Sequence, residues 1–304
     1  MWFKNLALFR FTTPFTMPAE ELEAHLAERR FRPCGRTDQM SAGWVPPTSQ
    51  ADASLAHVIG PFMMVTLKQE EKILPSAVVN EQVAERVAEI EVREGRKPGK
   101  RERSELRDHV VMELMPRAFS HSRRTHAYID SERGWLVVDS ASGRRTDDLT
   151  SLLRSTIGEL PIAFPATEEQ PSVVMTRWLA DGEAPADITI EQECELRATD
   201  EEGGIVRCRR QDLAVPEIQQ HLAAGKQAMR LALRWQDRLS FTLDDRLVVR
   251  RLRFLETVQE RAGEIETDDA AQRFDADFAI MSLELAEFLP RLLELFGGER
   301  RQSV

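Results

Sequence analysis

The spacing of apolar residues changes twice along the chain, and each change predicts a different kind of element. The stretch "FKNLALFRFT" alternates apolar and polar positions and predicts a strand. After Pro18, Leu22 and Leu26 behind an acidic first turn predict a helix from about Pro18 to Arg30. "PCGRTDQMSAGWVPPTSQ", with two glycines and three prolines, reads as loop. A strand follows around Phe62 to Lys68. From Ser76 the period lengthens to that of a helix, with Val79, Val83, Val87 and Ile90 on one face. A second helix starts after Pro98 and Gly99, with Leu106, Val110, Val111 and Leu114 as its stripe. Together they read as a helical hairpin set into a mixed sheet.

"YIDSERGWLVVDSAS" reads as a β-hairpin, and "TDDLTSLLRSTIGELP" as a helix with Thr146 as N-cap and Gly158 near its end. The acidic run from Leu179 to Gly204 predicts a linker with edge elements. In "GKQAMRLALRWQDRLSF", Met229, Leu231, Leu233 and Trp235 alternate strictly. Residues two apart in a helix point about 200° apart, whereas in a strand they share a face. The stretch is therefore a strand, with Arg230 and Arg234 on the face opposite the apolar residues. "RLSFTLDDRLVVRRLRF" continues it as a hairpin turning at Asp244 and Asp245. The tail "DFAIMSLELAEFLPRLLELFGGE" reads as a strand leading into an amphipathic helix that ends at Gly297 and Gly298. The predicted fold class is α+β, mixed sheets with helices.

Length and composition narrow the class without naming it. The 304 residues suffice for two domains or one elaborated domain. No apolar run approaches the roughly 18 residues of a membrane span, and the N-terminus reads as a strand, not a signal peptide. Cys34, Cys194 and Cys208 are scattered, which supports neither a disulfide framework nor a zinc site and makes a reducing cytoplasm the default.

Charge changes the picture more. The formal net charge is −10, but it is unevenly spread. Leu179 to Glu202 holds nine acids and one base, and Glu256 to Val304 twelve acids and five bases. Between them, Gly203 to Leu255 holds eleven bases and five acids. An acidic protein with a basic segment can still meet a polyanion through that segment.

Candidate catalytic chemistry is sparse. "GRKPGKRE" resembles a P-loop, but its spacing is one residue short and Arg101 stands where a magnesium-binding hydroxyl is needed. His121, His126 and Asp130 miss the helical metal-pair spacing by one. Asp275 and Asp277 would share a strand face, so a metal-dependent nuclease is one alternative, with a salt-bridged strand edge the plainer explanation. No activated nucleophile appears, and no cofactor or metal site is expected. Polyanion binding has distributed support: Arg207, Arg209 and Arg210 beside Gln211; Arg123 and Arg124 near Phe119; Lys97, Lys100 and Arg101 at the hairpin tip; and Lys226, Arg230 and Arg234 in the strand. Arginine and lysine bind phosphates by charge and multiple donors and need no fixed motif. Any one of these clusters alone reads more readily as a solvated face than as a binding site.

"WFKNLALFRF", "GWVPP", "EEKILPSAVVN", "LMPRAFS", "RCRRQDL", "GKQAMRLALRWQDRLSF" and "AQRFDADFAIM" occur in this order from residue 2 to about 299. In these blocks the chain resembles the bacterial RdgC family of recombination-associated proteins. The resemblance implies a horseshoe-shaped subunit: a centre region of residues 1–75 and 118–178, a tip or gate region of 76–117, and a base region of 179–304. Two such subunits would close into a ring-shaped homodimer around duplex DNA. It further implies sequence-independent DNA binding, single-stranded DNA included, a cytoplasmic and nucleoid location, restraint of RecA-promoted strand exchange, and no enzymatic activity. Direct action on RecA with weak DNA contact is the main alternative. Carried onto this sequence, the "RRQDL" block implies Arg209, Arg210 and Gln211 at DNA, and the "PRAFS" block puts Phe119 at the dimer gate.

Overall fold

Strand alternation sorts the chain into two sheets that share one helical layer. The computed structural model describes residues 1–48, 50, 53–199, 203–263 and 269–300. The first half runs β1 (Ala7–Phe11), α1 (Ala19–Glu28), β2 (Met40–Val45), β3 (His57–Ile59), β4 (Phe62–Ile73), α2 (Ser76–Glu94) and α3 (Lys100–Leu114). Then come β5 (Phe119–Asp130), β6 (Trp135–Val138), α4 (Gly143–Ile157), β7 (Ile162–Ala163) and α5 (Pro171–Asp181). The last third runs β8 (Ile188–Arg197), β9 (Ile205–Arg209), α6 (Pro216–Ala223), β10 (Gln227–Trp235), β11 (Leu239–Asp244), β12 (Val249–Phe254), α7 (Glu256–Gly263) and α8 (Ala270–Glu294).

The first sheet has the order β2-β4-β5-β6-β1-β7, with β3 also on β4; the second has the order β12-β11-β10-β8-β9. All pairs between these strands are antiparallel, not mixed as the sequence reading expected. The chain is α+β.

The first sheet is buried on both faces at its centre, where Phe62–Leu67 of β4 and Trp135–Val138 of β6 are buried without a break. Ala7, Phe9, Met63, Val65, Leu136 and Val138 face α1 and α4, packing with Leu22, Leu26, Leu149 and Leu153. Leu8, Phe62, Met64, Tyr128, Trp135 and Val137 face the opposite way, into a core shared with α5, α8 and the inner face of the second sheet. The second sheet contributes Leu231, Leu233, Trp235, Phe241, Leu243, Val249 and Phe254 to that core. Its outer face is left to polar side chains. Past the core, β4 and β5 continue as a ribbon whose far end carries α2 and α3.

Several expectations need correcting. The stretch read as loop contains β2. Its Gly43 serves not a turn but a close approach: a Cβ there would lie 2.4 Å from the Phe31 Cα. Thr146 does not cap α4. Ser142 is the N-cap residue, and Thr146 lies buried in the first turn, its hydroxyl donating to the Ser142 carbonyl at 3.0 Å. The acidic run holds not only edge elements but β8, an interior strand between β10 and β9. The tail is one helix from Ala270, capped by the Asp269 side chain, which accepts from the Ala271 N–H at 2.9 Å. Phe278, Met281, Leu285, Phe288, Leu289 and Leu292 give it a buried stripe at helical spacing.

Candidate nucleic-acid interface

The outer face of the second sheet is where the predicted cations meet. In β10, Arg230 and Arg234 project away from the core, as alternation predicts. In β9, Arg207 and Arg209 alternate with the buried Cys208 and share that outer face. Arg210 follows in the left-handed region, with φ 55°, and Gln211 beside it is exposed. The structure adds two cations that the candidate set missed, Arg251 and Arg253 of β12. With Arg210 and Arg234 they line a groove of about 450 Å³. Arg251 and Arg253 alternate with the buried Leu252 and Phe254, and Arg253 pairs with Ser240; beyond that pair the β11–β12 register shifts, and Arg251 takes φ 52°.

Three glutamates of β8 point into this face. Glu195 is buried and meets three arginines: Arg207 Nε at 2.8 Å, an Arg230 terminal nitrogen at 3.3 Å and an Arg197 terminal nitrogen at 3.7 Å. Burial pushes its carboxyl up, but Arg207, Arg230 and Arg197 outweigh burial and hold it below the ordinary carboxylate range. Glu193 pairs with Arg251, whose hydrogen bond is the main cause of its lowered pKa, with Arg209 and Arg210 adding to the pull. Glu191 accepts from Ser240 Oγ at 3.0 Å and lies 3.9 Å from Arg234 Nε. The Arg251–Glu193 contact reaches across β11 and β10, over the groove. Arginines outnumber glutamates on it, and the arginine ends remain solvated: Arg207 is 60% exposed and Arg230 42%. The pairs of Glu191 with Arg234 and Glu193 with Arg251 are partly exposed, and surface ion pairs contribute about 0–1 kcal/mol each, so an arriving phosphate can displace them.

The other predicted residues lie elsewhere. Lys226 precedes β10, and the bulge between Ala228 and Arg230 puts it out of step with Arg230 and Arg234. Arg238, next in the same four-residue rhythm, turns to α8 instead, with its Nε 2.6 Å from the nearly buried Glu284 and its guanidinium 4.8 Å from the Trp235 ring centroid. Lys97, Lys100 and Arg101 stand at the α2–α3 turn, and Arg101 pairs with Glu105 at 3.0 Å. The glycines of the P-loop-like stretch bracket that turn, Gly95 as C-cap of α2 and Gly99 as N-cap of α3. Arg123 donates to Gln69 Oε1 at 3.1 Å, and Gln69 donates to Asp148 of α4, so this cation ties sheet to helix. Arg124, one residue on, is exposed. Phe119 begins β5 beside the hairpin, 84% exposed, directly opposite the exposed Ile73.

The carboxylate pair proposed for metal does not form. In α8, residues two apart diverge: Asp275 lies 3.0 Å from His57 Nε2, while Asp277 binds the N-terminal ammonium of Met1. Among the described residues no three His, Cys, Asp or Glu side chains are grouped to hold a metal ion. None of the described helices is long and apolar enough to cross a membrane.

Comparison with known proteins places this architecture. A family model described as "Putative exonuclease, RdgC" matches residues 1–299. Curated proteins named recombination-associated protein RdgC are similar over nearly their full length. The one from Aeromonas hydrophila is 43% identical over 304 residues, covering 100% of both chains. That from Psychromonas ingrahamii is 43% identical over 300 residues, 99% of each, and that from Pseudomonas aeruginosa is 44% identical over 300 residues, 98% of each. The chain belongs to the RdgC family of recombination-associated proteins.

Proposed function

We propose that the chain is a sequence-independent DNA-binding protein acting in recombination. Two copies close into a ring around duplex DNA, and the bound ring restrains RecA-promoted strand exchange by occupying the DNA. The observation that carries the reading is the grooved outer face of the second sheet, where arginines from β9, β10 and β12 converge. Arginines on a broad sheet face meet phosphates, and phosphate contacts carry no sequence information. The relatives' name, recombination-associated protein, supports the setting. The exposed Phe119 and Ile73 pair beside the hairpin supports a subunit contact, because an apolar pair at the end of a solvated ribbon gains by being covered. In this reading the subunit is the horseshoe of centre, tip and base, Phe119 stands at the gate, and the protein works on the nucleoid without catalysing a reaction.

The test is Arg209→Glu with Arg210→Glu, which reverses two charges beside the groove without touching the core. Binding to unrelated duplexes should weaken together, by tenfold or more at low salt. Parent-like binding would remove these residues from the interface. The family description carries a second reading, an exonuclease. Duplex shortened by the parent protein in the presence of magnesium would establish it.

A further inference from the structure

The acids on the basic face call for an explanation of their own. Glu193 and Glu195 stand opposite Arg209 and Arg207 of β9, and Glu191 reaches Ser240 and Arg234, so all three lie outward among the arginines although the β8–β10 register shifts between Ile190 and Cys194. Each meets a cation that the proposed DNA contact would use: Arg234 for Glu191, Arg251 for Glu193, Arg207 and Arg230 for Glu195. Glu195 is buried, and its role is structural. Glu191 and Glu193 keep 33% and 27% of their side-chain surface and line the groove itself.

We propose that Glu191 and Glu193 are a built-in competitor for phosphate that holds DNA affinity below what the arginines alone would give. The inference rests on the DNA-binding reading above. When a duplex arrives, Arg251 exchanges the Glu193 carboxylate for phosphate, and Arg234, which also pairs with Asp237 at 2.8 Å, meets phosphate beside Glu191. The displaced carboxylates stay close, because the backbone holds them in the sheet: Glu193 pairs with Arg209 of β9, and Glu191 follows Ile190, which pairs with Leu233 of β10. They stay beside the phosphates and repel them. Two like charges about 6 Å apart in water shift a binding constant about threefold. Two such charges make the penalty roughly tenfold, and salt reduces it. A binder of this kind lets go of DNA more readily than its arginine content implies.

The experiment compares the parent with Glu191→Gln, Glu193→Gln and the double variant, which remove charge but keep size and hydrogen-bonding groups. Binding to a labelled duplex is followed by fluorescence anisotropy over a range of salt. Glu132→Gln, which removes the same charge from the turn between β5 and β6, controls for net charge. The expected result is about threefold tighter binding for each single variant and tenfold for the double, a steeper salt dependence, and no change for Glu132→Gln. If the glutamates instead orient the arginines for DNA, the same variants bind more weakly. Weaker or unchanged binding by folded variants overturns the inference and leaves the DNA reading standing. A parent that binds no DNA at low salt takes down both. If the double variant fails to fold, the sign of either single variant decides.

Discussion

At the residue scale, burial decides which ionisable groups carry structure and which remain available. His126 in β5 lies 2.8 Å from Thr66 Oγ1, and burial, aided by the Arg124 charge, depresses its pKa from 6.5 to about 4. The sign follows from linkage. Below pH 6.5 the unfolded chain takes up a proton at this histidine that the folded chain refuses until about pH 4, so stability falls across that window. The loss attributable to this group should approach 3 kcal/mol, at about 1.4 kcal/mol per pKa unit. Thermal unfolding of the parent and of His126→Gln at pH 7 and at pH 4.5 checks it: the acid-induced drop in Tm should be smaller in the variant. An equal drop would assign the acid sensitivity to other groups. The basic face shows the converse, since its arginines keep partly solvated ends, Arg207 and Arg251 most of all.

At the element scale, α8 holds the molecule together, because it lies between the inner faces of both sheets. Phe288 is fully buried, with ring centroids 5.3 Å from Trp235 and 5.0 Å from Phe241. Phe288→Ala should cost about 3–5 kcal/mol, read as a lower urea midpoint with unchanged slope. A loss below 1 kcal/mol would mean that the helix is not the shared core. Elements were legible in the sequence where one rule decided them. The alternation of Leu231 to Trp235 and the valine stripe of α2 each fitted one period, whereas the bulge between Ala228 and Arg230 takes Met229 out of step and puts Ala228 in the core in its place. Elements were misread where a residue served two purposes: Gly43 resembled a turn signal but permits backbone contact, and Asp275 and Asp277 satisfy the period of a strand while standing in a helix. Arg251 and Arg253 alternate with Leu252 and Phe254, so their outward direction is legible, but the strands that share their face are not. The pairing of β9 and β12 with the same outer face comes from strand order, and strand order depends on contacts between distant parts of the chain.

At the scale of the whole molecule, the charge asymmetry gains a physical setting. The acids of residues 179–202 and the bases of residues 203–255 are separate blocks in sequence, yet β8 lies hydrogen-bonded between β9 and β10. The chain's net charge of −10 therefore coexists with one face on which arginines predominate. The ring proposal asks that face to contact a duplex through phosphates alone. The most direct test of that claim is a salt titration of binding to two duplexes of unrelated sequence, read by fluorescence anisotropy. Equal affinities are predicted, with log K falling linearly against log salt by about 0.9 for each phosphate neutralised. A strong preference for one duplex, or no binding at low salt, would contradict the account and return the arginine face to the solvent.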